Sequence, residues 1–282
     1  MIEMKLLLNK FCLRIILTRY ILAFLIFVFS SCVRNQEEIV QLKSDIIKLQ
    51  IEVDCIKYQI NKNLQINFNN WIYCSNDLTF YNSANFNITL SSKRPSKSIS
   101  NAFFCVPAAF TDDPKINHNL IDGHFIVNGT DISNDVNHDL SGACIFDENN
   151  IEIIPSTKLS DVKLAEISAK KRNLFQQFLL VKNKIKVECN KYKSTPNLVK
   201  PLLRRALVQV NNDFYVVESK ARMTLSDFQD SLIKNNFTNA IYLDMGTYSE
   251  GWYRGSNGIT NTIGEDMVNT SKQSNWLIFE TK

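Results

Sequence analysis

The groups in this chain best suited to chemistry are Asn101, the adjacent pair Arg204-Arg205, Asp244, and the loop from Gly246 to Arg254. Asp244 ends the apolar run Ala240-Ile241-Tyr242-Leu243 and is followed by Met245-Gly246. Such a run reads as a buried strand that delivers a carboxylate to its end, and the glycine lets the chain turn sharply with φ above zero. The loop then carries Thr247, Tyr248, Ser249, Glu250, Trp252, Tyr253 and Arg254, a mixture of aromatic and polar groups suited to a sugar or phosphate. Guanidinium groups bind phosphate oxygens bidentately and stay charged when partly desolvated. A carboxylate at a strand end holds sugar hydroxyls or transfers protons. The same residues also have a plainer use, since an Asp at a strand end caps turns and an Arg at a strand start lays its stem over apolar surface. Neighbours on a regular strand face opposite sides, so only one of Arg204 and Arg205 is expected to reach the site.

Other chemistries find less support. His118, His124 and His138 match no zinc spacing, and Cys105 and Cys144 lie in apolar runs. Asp131, Asp135 and Asp139 lack the oxygen spacing and central glycine of a calcium loop, so no metal is expected. Cys105, between Phe104 and Val106, reads as a core filler and not as a nucleophile. There is no Gly-x-Ser-x-Gly, phosphate-binding loop or dinucleotide fingerprint, and no cofactor is expected. The net charge of +4 is concentrated at the start, where Lys5, Lys10, Arg14 and Arg19 face only Glu3. The remainder is close to neutral, which gives no basic footprint for nucleic acid.

The elements that must position these residues begin after a leader. Residues 20–33 are uncharged and mostly apolar, too short for the roughly twenty residues of a membrane-spanning helix and closer to the core of a secretory signal. The run ends Phe29-Ser30-Ser31-Cys32, which resembles a bacterial lipoprotein signal with Cys32 as the lipidated residue. The alternative is an uncleaved signal-anchor helix that borrows residues 15–19. Either reading makes residues 1–32 a signal or anchor and puts the rest outside the cytoplasm, tethered to a membrane. Ile39, Leu42, Ile46, Leu49, Val53, Ile56 and Ile60 then alternate spacings of three and four, so residues 36–62 are expected to form a short coiled-coil stalk that joins copies of the chain. An amphipathic helix packed on the protein's own domain fits the same pattern. The seven cysteines are irregularly spaced and define no disulfide framework.

From residue 66 to 282 the chain reads as short β-type runs broken by Asn, Ser and Asp. Asn211-Asn212 is expected to turn a hairpin between strands at 204–210 and 214–217, and Thr224 or Ser226 to cap a helix over 227–235. Many short strands with few helices predict a single α+β domain on one mixed, mainly antiparallel sheet.

Three segments together resemble the phosphodiester glycosidase family, the domain of the enzyme that removes N-acetylglucosamine from its 1-phosphodiester on lysosomal enzymes. They are Asn101-Ala102-Phe103-Phe104, Arg204-Arg205-Ala206-Leu207 with the helix that follows it, and Tyr242-Leu243-Asp244-Met245-Gly246-Thr247. The order and approximate spacing agree over residues 70–280. The sequence departs from the family pattern at Tyr242, at Met245 where a glycine is usual, and at Thr247-Tyr248-Ser249. Tyr242 to Gly246 followed by Glu250 to Arg254 is similar to a subgroup among surface lipoproteins of Bacteroidetes, in keeping with the leader. Taken with the leader and with the arginine and carboxylate groups above, the expectation is an extracytoplasmic hydrolase that cleaves a sugar from a sugar-1-phosphodiester in a glycan or glycoconjugate. In that reading Asp244 acts in proton transfer or holds the sugar, Arg205 (the arginine directly before Ala206, as the family order places it) or Arg204 clamps the phosphate, and Asn101, Gly246, Thr247, Trp252 and Arg254 lie around the substrate. The alternative is a non-catalytic glycan-binding or scaffold lipoprotein of the same fold.

Overall fold

The structure is a computed structural model that describes residues 42, 45, 46, 49, 72–75, 77–84, 86–98, 101–111, 121–134, 137–148, 150–188, 199–245, 249–255, 258–264 and 272–281. The chain divides into two compact units, Met1–Phe68 and Asn69–Lys282. In the first, Leu42, Asp45, Ile46 and Leu49 are helical, with Leu42 and Leu49 exposed. The leader, Cys32 and the other heptad positions lie outside the described residues.

The second unit opens with β1 (Ile72–Cys74), β2 (Leu78–Asn82), β3 (Phe86–Ser91) and β4 (Ala102–Val106). Its middle holds β5 (Phe125–Val127), β6 (Thr130–Ser133), β7 (Gly142–Phe146), β8 (Ile151–Pro155), α1 (Asp161–Ala169), β9 (Asn173–Gln177), β10 (Leu179–Lys182) and β11 (Ile185–Lys186). The last part holds β12 (Arg205–Val210), β13 (Asp213–Ser219), α2 (Leu225–Lys234), β14 (Asn239–Tyr242), β15 (Gly251–Arg254), β16 (Thr260–Ile263) and β17 (Trp276–Thr281).

The expectation of one mixed α+β sheet is corrected here. The strands form three sheets, in the orders β1-β2-β13-β12-β14-β10-β11, β16-β15-β4-β17-β3 and β6-β5-β9-β7-β8. Every pairing among the described residues is antiparallel, as between β12 and β13, β4 and β17, or β7 and β9. The reason lies in the turns. A parallel neighbour needs a long crossover, whereas antiparallel neighbours need only a tight turn. This chain supplies such turns with Asn128, Asn183 and Asn211, each at positive φ, a conformation Asn tolerates better than most residues. The run at 175–181 is divided between two strands, because Phe178 separates β9 of the third sheet from β10 of the first.

Alternation along β12, β13 and β14 sorts the first sheet into two faces. Ala206, Val208, Val217, Ala240 and Tyr242 lie in one apolar cluster with Leu225, Phe228 and Leu232 of α2. Thr224 caps that helix by accepting from the Asp227 amide at 3.1 Å. The opposite face packs against the second sheet, where the Tyr81 ring lies 4.7 Å from Phe104 and 5.9 Å from Tyr253. In the third sheet, Ile126, Ile145 and Leu174 pack with Ile167 of α1. Burial of these aliphatic and aromatic side chains is the main favourable term, roughly 2 kcal/mol for each.

Candidate functional site

Asp244 stands two residues beyond the end of β14, where the backbone leaves the first sheet and meets the segment after β4. Leu243 N–H still donates to the Arg205 carbonyl at 3.0 Å, and Asp244 N–H donates to the Ala108 carbonyl at 3.1 Å. The Asp244 Oδ2 accepts from Thr111 N–H at 3.1 Å. Residues 108–111 are held in turn by Asn275, whose Oδ1 accepts from the amides of Ala108 (3.0 Å) and Ala109 (2.7 Å). Its Nδ2 donates to Thr111 Oγ1 at 3.2 Å, and that hydroxyl donates to Gln273 Oε1 at 3.1 Å. This arrangement fixes the carboxyl within a polar network that is almost closed to solvent.

Asp244 is 3% exposed. Burial pushes its pKa from 3.8 up to about 8, against the opposing pull of the Thr111 and Met245 amides and the Arg205 charge, while Asp122 adds a smaller push in the same direction. At neutral pH Asp244 is therefore mostly a neutral carboxylic acid, able to donate a proton or a hydrogen bond.

The two arginines diverge as alternation requires. Arg204 points to the helix-covered face, where Nη1 donates to Tyr242 Oη (3.2 Å), Nε to Met223 O (3.2 Å) and Nη2 to Lys200 O (2.6 Å). Arg205 points the other way and is fully buried. Its Nη1 donates to Ser249 O at 3.1 Å and its Nη2 to Glu218 Oε1 at 3.3 Å, while Nε has no hydrogen-bond partner among the described residues. Arg205, Ser249, Glu218 and Asp244 thus gather where β12 begins and β14 ends.

The remaining sequence-derived residues fall elsewhere. Trp252 is fully buried and shares an apolar cluster with Ala102, Cys105, Trp276 and Ile278, so neither ring face is open to a sugar. Arg254 lies over the Phe103 ring at 5.9 Å and donates to the carbonyls of Lys97 (3.2 Å) and Ala102 (3.4 Å). Asn101 is exposed, and its carbonyl accepts from Thr281 N–H at 2.9 Å. From Asn101 to Ala108 the chain runs the length of β4, about 20 Å at the rise of a strand, so Asn101 and Arg254 occupy the far end from Asp244. Gly246 and Thr247 lie outside the described residues.

Of the cysteines, Cys105 and Cys144 are free and buried, and burial holds the Cys105 thiol well above its usual range. That is the behaviour of a core residue. Cys74 is disulfide-bonded. Among the described residues no group of three or more His, Cys, Asp or Glu is placed to hold a metal ion.

Sequence reasoning missed Glu218, Thr111, Asn275 and Asp122. Glu218 was within reach of it. With a two-residue turn at Asn211-Asn212, counting back along both strands sets Arg205 opposite Glu218, which is the observed register. Thr111 and Asn275 carried no such local sign, because their roles depend on contacts between segments more than 130 residues apart in sequence.

Comparison of the sequence with family models gives no match, and comparison with curated proteins gives none either. Comparison of the fold with solved structures does give matches. The catalytic domain of zebrafish N-acetylglucosamine-1-phosphodiester alpha-N-acetylglucosaminidase, a structure described as auto-inhibited by its pro-peptide, aligns with a TM-score of 0.52 and 12% identity, covering 73% of this chain and 76% of that one. A hypothetical protein from Synechocystis aligns with a TM-score of 0.49 and 11% identity, covering 75% of this chain and 61% of that one. The first likeness establishes a distant relationship of fold.

Proposed function

We propose that the protein is an extracytoplasmic, membrane-tethered hydrolase that cleaves a sugar from a sugar-1-phosphodiester in a glycan or glycoconjugate. The observation that carries this reading is the buried pair of Asp244, held protonated near neutral pH, and Arg205, whose Nε–H has no hydrogen-bond partner among the described residues. A neutral acid beside a cation accommodates an anionic diester without like-charge repulsion, and donors already fixed in place lower the cost of charge building on the leaving phosphate. The likeness of fold to a phosphodiester glycosidase catalytic domain supports the same substrate class. Arg205 orients the phosphate, and Asp244 donates to the oxygen that leaves the anomeric carbon. Asn101 and Arg254, at the far end of β4, and Trp252, buried opposite Cys105, are left to structural or remote contacts. The apolar leader and the bonded Cys74 support an exported, oxidising setting. The heptads support self-association through residues 39–60.

A second reading is favoured by one observation. Arg205 is fully buried and already engaged by Glu218, as a residue that only holds the fold would be. In that case the protein binds glycan without turning it over. Incubating the purified protein with a panel of nitrophenyl and nucleotide sugar-phosphodiesters, and measuring sugar release, separates the two. Hydrolysis that is lost in Asp244→Asn and Arg205→Lys supports the enzyme. Glycan binding without release, unchanged in Asp244→Asn, supports the binding protein.

A further inference from the structure

We propose that Asp122 is the second carboxylate of this site and accepts the proton of the attacking water, with Asp244 as its acidic counterpart, an inference that rests on the hydrolase reading above. The juxtaposition comes from a single peptide unit. Thr111 and Ile121 form an antiparallel bridge, and Asp122 N–H donates to the Phe110 carbonyl at 3.0 Å. The same peptide unit presents its other side, Thr111 N–H, to Asp244 Oδ2 at 3.1 Å. Standard peptide dimensions then put the Asp122 amide nitrogen within about 9 Å of that carboxylate oxygen.

The Asp122 side chain is also held in place. Asn137 Nδ2 donates to Asp122 Oδ1 at 2.6 Å. Asn137 is clamped by Gln176, whose Oε1 accepts from Asn137 N–H (3.1 Å) and His124 N–H (2.8 Å), and whose Nε2 donates to Asn137 O (3.2 Å). Gln176 is fully buried, which fixes the clamp. Gly123 makes the close approach possible. Its φ is +84°, and a Cβ there would meet Leu140 Cδ1 at 2.8 Å and Gln176 Cβ at 3.0 Å. The Asp122 carboxylate is thus held by an amide that a buried glutamine fixes in turn, the kind of support a functional carboxyl requires.

The environments of the two carboxyls differ in the way an acid and a base require. Asp244 is buried and keeps its proton, whereas Asp122 is partly exposed and hydrogen-bonded. The charged and titratable groups acting on Asp244 are Arg205 from β12 and Asp122, and Tyr242 of β14, itself bonded to Arg204, senses Asp244 in turn. In the step, a water oxygen bonds to the anomeric carbon and gives one proton to Asp122. The bond from that carbon to the phosphate oxygen breaks, its electron pair stays on the oxygen, and Asp244 supplies the proton that oxygen takes up. Exchange with solvent then moves one proton off Asp122 and one onto Asp244, leaving a free sugar and a phosphomonoester.

The test uses the full chain and the variants Asp122→Asn, which keeps an oxygen for Asn137, Asp122→Ala and Asp244→Asn. Hydrolysis of a sugar-phosphodiester is expected to fall by about 100-fold or more in Asp122→Asn, with the acid limb of the pH profile lost. Added formate is expected to restore turnover in Asp122→Ala. A carboxyl-carbon NMR titration is expected to show Asp244 moving to lower pKa in Asp122→Asn, since a like charge has gone. Wild-type turnover with Asp122→Asn unchanged in rate and pH profile overturns the role of Asp122 and leaves the hydrolase reading standing. No turnover by the wild type, with the Asp244 titration unmoved in Asp122→Asn, overturns both.

Discussion

Replacing Asp244 with Asn tests the electrostatics of the site without reference to any substrate. An Asp whose pKa is raised from 3.8 to about 8 on folding holds its proton in the native state through a range where the unfolded chain has lost it. Stability then falls as pH rises from about 4 to about 8, and becomes flat above that, because ionising the native group costs what burial imposes. A shift of that size corresponds to about 5 kcal/mol between the two ends of the window. Asn carries no titrating proton, so Asp244→Asn removes this slope while keeping one oxygen as acceptor for Thr111 N–H. Near pH 4 the variant is expected to be less stable than wild type by about 1–3 kcal/mol, because Asn cannot accept both the Thr111 and Met245 amides on equal terms. Near pH 8 the order is expected to reverse. Urea denaturation followed by fluorescence is a suitable assay, since Trp252 and Trp276 are fully buried and report loss of the second sheet. Stability curves of wild type and variant that run parallel from pH 4 to pH 8 would refute the reasoning, for Asp244 would then titrate as an ordinary carboxylate.

Three other substitutions probe what surrounds it. Glu218→Ala leaves the Arg205 guanidinium buried without its counter-charge and is expected to cost about 3–5 kcal/mol in the same denaturation assay, with Glu218→Gln costing less. Asn275→Ala strands the amides of Ala108 and Ala109, at about 1–3 kcal/mol for each, and is expected to lower activity by freeing the segment that holds Asp244. Gly264 has φ +115°, and a Cβ there would lie 2.4 Å from Ser249 O, the carbonyl that accepts from Arg205. Gly264→Ala is therefore expected to cost about 1–3 kcal/mol in stability and to reduce turnover more than it changes substrate affinity.

Much of the last third of the domain was legible in the sequence. The Asn211-Asn212 hairpin, the helix capped at Thr224 and the buried strand before Asp244 all carry local signals, namely a turn pair, a hydroxyl cap and an apolar run. Alternation on β12 correctly separated Arg204 from Arg205. The sheet arrangement was not legible, because which strands pair across the middle of the chain is decided by packing between distant segments and not by any one stretch. Trp252 shows the limit most plainly. An aromatic residue in a polar loop pattern reads as a sugar platform, yet Cys105 and Ile278, from strands far off in sequence, bury it in a core. Asp122 was passed over for the opposite reason. It sits in an Asp-Gly turn like many others, and only the bridge between Thr111 and Ile121 brings it near Asp244.

The most direct test of the account is sugar release from an N-acetylglucosamine-1-phosphodiester by the purified wild-type protein, measured beside Asp244→Asn. Turnover by the wild type and a loss of about 100-fold or more in the variant are expected, the usual contribution of a positioned proton donor. Equal rates in the two proteins, or no release by the wild type across the sugar panel, would contradict it.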